Sequence, residues 1–260
     1  MPEATDRLLR LMQQLRDPVN GCDWDRAQSF ETIVPHTIEE AYEVADAVAR
    51  GDVAAIKDEL GDLLFQVVFQ ARIAEEAGLF DFAAVAEGIA AKLIARHPHI
   101  FAEAALDDIP REERWERIKA SERRAQGAAS ALDGVALALP AALRAEKLQK
   151  RAARVGFDWP DATGPAEKLH EEIAELAGAG TDAERAEEAG DLLFAAVNLV
   201  RAYGVPAEEA LRAANAKFER RFRAMEALAT QRGLDFAALS LDAQEALWSD
   251  VKASEADETP

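Results

Sequence analysis

Cysteine is almost missing: Cys22 stands alone in 260 residues, so no internal disulfide can staple the fold and no multi-cysteine zinc site can form. Histidine is nearly as scarce, with four residues, which leaves zinc or iron few of their customary nitrogen ligands. Long apolar runs are absent too. The most apolar window, Ala131 to Leu143, is broken by Asp133, Gly134 and Pro140 and falls short of the ~18 residues that a membrane span requires. Positive charge is outnumbered, because 30 Lys plus Arg face 49 Asp plus Glu and leave a formal charge of −19. A surface of that sign repels a phosphate backbone or anionic lipid, so neither a nucleic-acid polymer nor a membrane is the expected partner. The start, MPEATDRLLRLMQQL, has no basic flank followed by an apolar stretch, and together with the lone cysteine this leads to the expectation of a cytoplasmic protein. There is also no glycine-rich phosphate loop and no nucleophile elbow.

What is abundant is alanine, leucine, glutamate and arginine, while β-branched clusters bounded by turn residues are few. Helix propensity therefore prevails and the expected class is all-α. Apolar residues recur at three- and four-residue steps through Ala54 to Ala74, Phe82 to Ile94, Ala183 to Tyr203 and Ala207 to Leu228, which predicts four long amphipathic helices. Shorter helices are expected from about Ile38 to Val48 and from about Pro165 to Leu176, closed by Gly51-Asp52 and by Gly178 to Asp182.

The chain repeats itself. GCDWD at Gly21 to Asp25 returns as GFDWP at Gly156 to Pro160, IEEAYEV at Ile38 to Val44 as HEEIAEL at His170 to Leu176, and ELGDLLF at Glu59 to Phe65 as EAGDLLF at Glu188 to Phe194. KLIAR at Lys92 to Arg96 then parallels KFERR at Lys217 to Arg221. The order is kept, so the chain reads as two tandem copies of one helical design. Between them, Asp107 to Arg124 is dense in charge and Ala125 to Gly134 is small and linker-like. The expected organisation is a domain over 1–124, a flexible linker over 125–134 and a domain over 135–260.

Carboxylates dominate both copies. Glu172 and Glu175 stand three apart on one expected helix, and Glu188 and Asp191 three apart on the next, a spacing that puts each pair on one helical face. A short connection forces the two helices antiparallel, so the pairs can face each other. Glu40 and Glu43 opposite Glu59 and Asp62 repeat the pattern, with Glu39 and Glu171 as extra acids. Such a cluster repels itself unless a cation sits within it. An all-oxygen set without a Glu-x-x-His step favours Mg2+, with Mn2+ as the alternative, over zinc or iron. Because Mg2+ characteristically joins a few carboxylates to phosphate oxygens, a polyphosphate ligand is implied. The glycines before Asp62 and Asp191, Gly61 and Gly190, suggest close helix approach at the acids. Lys168, Lys217, Arg220, Arg221 and Arg223 either clamp phosphate oxygens or form solvated helix faces.

Trp24, Trp159 and Trp248 read as packing anchors before they read as base-stacking platforms. His97 and His99, which flank Pro98, read as a helix terminator and local packing, and Cys22 as structural. On the residues alone two rivals remain: a non-catalytic acidic helical adaptor for a basic partner, and a redox di-metal carboxylate bundle, disfavoured by the missing Glu-x-x-His step.

With these residues in view, the chain from about Leu8 to Lys252 closely resembles the MazG family of nucleoside triphosphate pyrophosphohydrolases, within the wider all-α pyrophosphohydrolase superfamily. The resemblance rests on Glu39-Glu40-x-x-Glu43 with Glu59 and Asp62, on Glu171-Glu172-x-x-Glu175 with Glu188 and Asp191, and on GCDWD, RHPHIF, LQKRAARVGFDW and NAKFERRF. It departs from the family's usual Cys-Pro-Trp-Asp at Asp23, and Ser29-Phe30 stand where Thr-His is common. The resemblance implies Mg2+-dependent hydrolysis of (deoxy)nucleoside triphosphates to monophosphate and pyrophosphate, broad base tolerance and a housecleaning role. It also implies a homodimer in which helices of two chains complete each four-helix bundle. On this footing Glu172, Glu175, Glu188 and Asp191 hold the metal and position the attacking water, while Lys168, Glu171, Glu187, Lys217 and Arg221 line the triphosphate and sugar. Trp248 lies near the nucleotide, and Glu40, Glu43, Glu59 and Asp62 form a second metal site of open role. A narrower relative acting on dUTP or a phosphoribosyl nucleotide is the alternative within the class.

Overall fold

The computed structural model describes residues 2–101, 111–125 and 127–257, so the charged stretch over 107–110 and residue 126 of the expected linker lie outside the described residues. Among the described residues there are helices and no strands. The chain divides into two compact units, Met1–Ile118 and Lys119–Pro260.

In the first unit α1 (Pro2–Leu15) and the short α2 (Asp23–Ala27) precede the hairpin of α3 (Phe30–Arg50) and α4 (Val53–Glu76). α3 begins well before the expected Ile38. Ser29 caps it by accepting from the Thr32 N–H while Thr32 reaches back to the Ser29 N–H, and the helix then runs on through Pro35. That reciprocal cap, together with tertiary packing of Ile33, outweighs the ladder hydrogen bond that Pro35 cannot donate. Gly51 ends α3 in the left-handed region at φ 68°, and the Asp52 side chain caps α4 through the N–H groups of Ala54 and Ala55. Two residues thus turn the chain back on itself. The core at one end of this hairpin is Met12, Ile33, Val68, Phe69 and Ile73. The buried Arg16 joins α1 to α4, donating to Glu76 Oε2 at 2.7 Å and to the backbone carbonyls of Asp25 and Gln28. α5 (Phe82–Arg96), the single turn α6 (Pro98–Phe101) and the first part of α7 (Arg111–Ala125) complete the unit.

In the second unit α8 (Ala141–Ala153) packs on the hairpin of α9 (Thr163–Gly178) and α10 (Asp182–Ala202). Thr181 and Glu184 form the capping box that starts α10. α11 (Ala207–Gln231) has no capping side chain of its own, and Glu146 of α8 supplies the acceptor, 2.9 Å from the Ala207 N–H. Burial raises the affinity of the Glu146 carboxyl for a proton, but the Lys150 and Ala207 hydrogen bonds outweigh it and hold the group below the usual carboxylate range. A 3-10 turn (Phe236–Ala238) leads to α12 (Leu241–Asp257), which buries Leu247 and Val251 against Met225 and Ala229.

The four long helices expected from periodicity are α4, α5, α10 and α11. The reading of Gly61 and Gly190 is corrected: a Cβ added at either would meet nothing within 4 Å. Both sit on exposed faces of α4 and α10, so close approach of helices within the chain is not what these glycines serve.

Candidate functional site

Each hairpin brings acids from its two helices together. In the second unit single oxygens of Glu172, Glu188 and Asp191 all lie within 4.8 Å of one another, and in the first unit those of Glu40, Glu43 and Glu59 do the same. The two sets are not the same selection. Glu175 and Asp62, the fourth acid of each copy, are exposed and stay outside these groups of three, yet both act on them through charge. Burial pushes the Glu188 carboxyl above its ordinary range, and repulsion from Glu175, Glu172 and Asp191 pushes it further. Burial likewise raises Glu40, with Asp62 and Glu43 adding to it, and raises Glu59, with Glu43 and Asp62 adding. Three carboxyls held above their ordinary range beside other acids mark sites short of positive charge.

Glu172 is the anchor of the second cluster, with 3% of its surface exposed. Its Oε1 lies 2.7 Å from Lys168 Nζ, while its Oε2 is buried and has no hydrogen-bond partner. Lys168 also donates to Glu171 Oε1 at 2.9 Å, and these two hydrogen bonds, Glu172 first, hold its ammonium charged far above the ordinary lysine range. One cation therefore covers one oxygen of the anchor, and the other oxygen is left for something else. In the first cluster the neighbour at the anchor is neutral, since Gln66 Nε2 stands 3.5 Å from Glu40 Oε1.

Arg221 and Trp248 meet in the second unit, while Glu187 stands beside Glu188 and adds to the repulsion on it. Arg221 donates to Glu255 Oε2 at 2.7 Å, with its guanidinium 5.7 Å from the centre of the Trp248 ring. Phe218 packs on the same indole at 5.7 Å. Lys217 and Glu187 are exposed. No hydrogen bond or ion pair among the described residues joins Lys217 or Arg221 to Glu172, Glu188 or Asp191. In the first unit Trp24 is a packing residue, edge-on to Phe69 at 6.4 Å and to His36 at 6.0 Å. His97 caps the end of α5 and packs on Trp115 at 4.9 Å.

Sequence reasoning missed a buried polar group beside the second cluster. Gln149 and Asn198 are each 7% exposed. Gln149 Nε2 donates to the Phe194 carbonyl at 2.9 Å, and Asn198 Oδ1 accepts from Arg201 Nε at 2.9 Å. Arg201 in turn holds Asp158 in a two-pronged ion pair, at 3.0 and 2.5 Å. The available signal was an asparagine inside the apolar run FAAVNLV, a polar residue that burial tolerates only with partners.

Residues 28–101 match the model of the MazG nucleotide pyrophosphohydrolase domain, and residues 144–218 match that of phosphoribosyl-ATP pyrophosphohydrolase. The chain is 49% identical to a nucleoside triphosphate pyrophosphohydrolase of Escherichia coli K12, over 97% of this chain and 98% of that one. It is 41% identical to the nucleoside triphosphate pyrophosphohydrolase/pyrophosphatase MazG of Thermotoga maritima, over 98% of this chain and 97% of that one. A Bacillus subtilis protein, YabN, is 40% identical over 94% of this chain, which spans 51% of that longer protein.

Proposed function

The chain belongs to the MazG family of nucleoside triphosphate pyrophosphohydrolases, and from that premise we propose that it hydrolyses (deoxy)nucleoside triphosphates to monophosphate and pyrophosphate at the carboxylate cluster of its second unit. The observation that carries the choice of unit is the anchor: Glu172 is buried with one oxygen on Lys168 and the other without a partner. The donor set is oxygen only and fits a hard divalent cation, Mg2+ before Mn2+, held by Glu172, Glu188 and Asp191 with Glu175 beside them. Such a cation, when bound, neutralises phosphate charge and lowers the pKa of coordinated water.

The chain's own residues then have distinct tasks. Lys168 fixes Glu172 in place through one oxygen, so its free oxygen is preorganised. Glu188 orients the attacking water at a carboxylate oxygen and takes its proton. Lys217 and Arg221 neutralise the polyphosphate, and Trp248 lies near the nucleotide. Glu171 and Glu187 line the sugar and phosphates.

Lys217 and Arg221 stand on α11 and Trp248 on α12, with no hydrogen bond or ion pair among the described residues to the cluster of their own chain, and we place a second copy of the chain against each unit. Support comes from the apolar residues that α10 and α11 leave uncovered, Leu193 at 69% exposure among them, with Leu211 and Phe218. α5 presents Val85, Ile89 and Leu93 in the same way. Removal of noncanonical nucleotides is the role in a cytoplasmic setting. No helix among the described residues is long and apolar enough to cross a membrane. We read the chain as two domains, over 1–124 and 135–260, joined through residues 125–134.

The test is release of pyrophosphate and monophosphate from a panel of nucleoside triphosphates, with Mg2+ or EDTA. The expected result is Mg2+-dependent turnover abolished by Glu172→Gln and retained in Glu40→Gln. A wild-type protein that hydrolyses none of the panel removes the assignment. The phosphoribosyl-ATP match of residues 144–218 favours a phosphoribosyl nucleotide as the second substrate reading, and that compound belongs in the panel.

A further inference from the structure

α11 is held at its two ends and bare between them. Its C-terminal half buries Met225 and Ala229 against Leu247 and Val251 of α12, and Ala207 at its N-terminus is buried too. Residues 209–220 are all exposed. Lys217 lies in that bare stretch and Arg221 at its edge, about 15 and about 21 Å along the helix from Ala207 at ~1.5 Å per residue. Where these two side chains reach therefore depends on how both ends of the helix are pinned.

The N-terminal pin comes from another helix. Pro206 occupies the N-cap position of α11 and offers no side-chain oxygen. Glu146 of α8, 61 positions earlier, supplies one: its Oε2 accepts from the Ala207 N–H at 2.9 Å, while its Oε1 accepts from Lys150 Nζ at 2.5 Å. Both oxygens are engaged, and the residue is only 5% exposed, so its carboxylate has little freedom to shift. Three residues on, Gln149 donates to the Phe194 carbonyl of α10 at 2.9 Å. One turn of α8 therefore grips both α10, which carries Glu188 and Asp191, and α11, which carries Lys217 and Arg221.

The first unit starts the matching helix differently. α5, which carries the parallel step from Lys92 to Arg96, is capped by its own Asp81, which accepts from the Ala84 N–H at 2.8 Å. Asp81 is exposed, so this local cap satisfies the helix end without taking a carboxylate out of water. Burying Glu146 costs desolvation that a local cap avoids. What the longer connection adds is a fixed distance between α8 and α11.

We propose that Glu146 is a positioning residue for the phosphate end of the site, holding α11 at the angle from which Lys217 and Arg221 meet the polyphosphate. The inference rests on the reading of those two residues as the phosphate clamp. Where they serve the cluster of a second copy, α8 joins the metal-holding helix of one site to the phosphate-holding helix of the other. Glu146 touches no substrate and acts through the helix alone: freed at its N-terminus, α11 pivots on its packing against α12 and the two cations lose their register. The acids stand on α9 and α10 and keep their geometry, so the loss falls on nucleotide and pyrophosphate binding rather than on the chemical step.

The test uses the full-length protein with saturating Mg2+ and follows KM and kcat for a nucleoside triphosphate, inhibition by pyrophosphate, and the unfolding temperature. Glu146→Leu is expected to raise KM and weaken pyrophosphate inhibition by a common factor of about tenfold, with kcat within about twofold of wild type. Glu146→Gln keeps an acceptor for the Ala207 N–H and is expected to restore both. Glu146→Leu/Pro206→Asp gives α11 a local cap like that of α5, and is expected to regain the unfolding temperature while keeping the raised KM. Wild-type KM and pyrophosphate inhibition in folded Glu146→Leu overturn the proposal, and so does recovery of KM in the double variant, which would make Glu146 a helix cap and nothing more. If neither leucine variant folds, Glu146→Asp, one methylene shorter, decides: unchanged KM overturns the proposal. Absence of wild-type turnover removes the hydrolase reading instead, and an unchanged KM in Lys217→Ala removes the phosphate clamp and this proposal with it. A raised KM in Lys217→Ala with none in Glu146→Leu removes this inference alone.

Discussion

Lys168 Nζ lies 2.7 Å from one carboxylate oxygen of Glu172, and the other oxygen of the same carboxylate is buried without a partner. The pair is thus half of an electrostatic arrangement, and a cation supplies the remainder. Measured in a Glu40→Gln background, which disables the first cluster, saturating Mg2+ is expected to raise the unfolding temperature by several degrees, since ligand at ~100 times its Kd adds about 2.7 kcal/mol. Glu172→Gln is expected to cancel that shift without lowering stability in EDTA. An equal Mg2+ shift in both proteins places the ion elsewhere.

Arg16 and Glu76 make the corresponding link in the scaffold of the first unit, where the guanidinium is buried and the carboxylate half-buried. Burial raises the Glu76 carboxyl, but hydrogen bonds from Arg16 and Arg72 outweigh it, so the folded pKa lies below the ordinary one. A lowered folded pKa contributes stability that is complete above the ordinary glutamate value and is lost as pH falls through the lowered value. Glu76→Gln leaves Arg16 uncompensated and is expected to cost about 3 kcal/mol at neutral pH. Urea unfolding should show the gap between wild type and variant closing as the solution is acidified through that window; a gap independent of pH denies the pair its electrostatic role.

Much of this was legible in the residue order. Helical periodicity announced α4, α5, α10 and α11, and the three-residue steps set Glu172 and Glu175 opposite Glu188 and Asp191, of which the structure brings single oxygens of Glu172, Glu188 and Asp191 within 4.8 Å of one another. What the spacing could not decide is helix rotation by a fraction of a turn, which buries Glu172 while leaving Glu175 exposed. The start of α3 was hidden because Pro35 argues against a helix locally, whereas the Ser29–Thr32 cap and the burial of Ile33 act over a longer range. Gly61 and Gly190 misled for a similar reason: a glycine reports room for a neighbour without saying whether one fills it.

Phe69 is the largest fully buried side chain in the core of the first unit. It has no exposed surface and touches Phe65 and Trp24. Phe69→Ala is expected to destabilise that unit by about 3–5 kcal/mol, the usual cost of removing a buried ring. Pyrophosphate release by the second unit should persist below the new transition. Calorimetric unfolding with a parallel activity assay checks both halves, and loss of activity at temperatures where the variant remains folded contradicts the division of labour.

The exposed apolar residues of α10 and α11 set the last expectation. Leu193 and Leu211 are more than half exposed, and in a monomer each leaves apolar area in water at about 25 cal/mol per Å². Covered in a dimer, the same residues stabilise association, and α11 carries Lys217 and Arg221 with it. Wild type is therefore expected to sediment at twice the 28.3 kDa chain mass, and Leu193→Glu/Leu211→Glu at the chain mass itself, because two buried carboxylates without partners would oppose the interface. Turnover should fall with dissociation, since no hydrogen bond or ion pair among the described residues joins Lys217 or Arg221 to the cluster. A variant that sediments as a monomer and retains full turnover would show that each chain assembles its phosphate site alone.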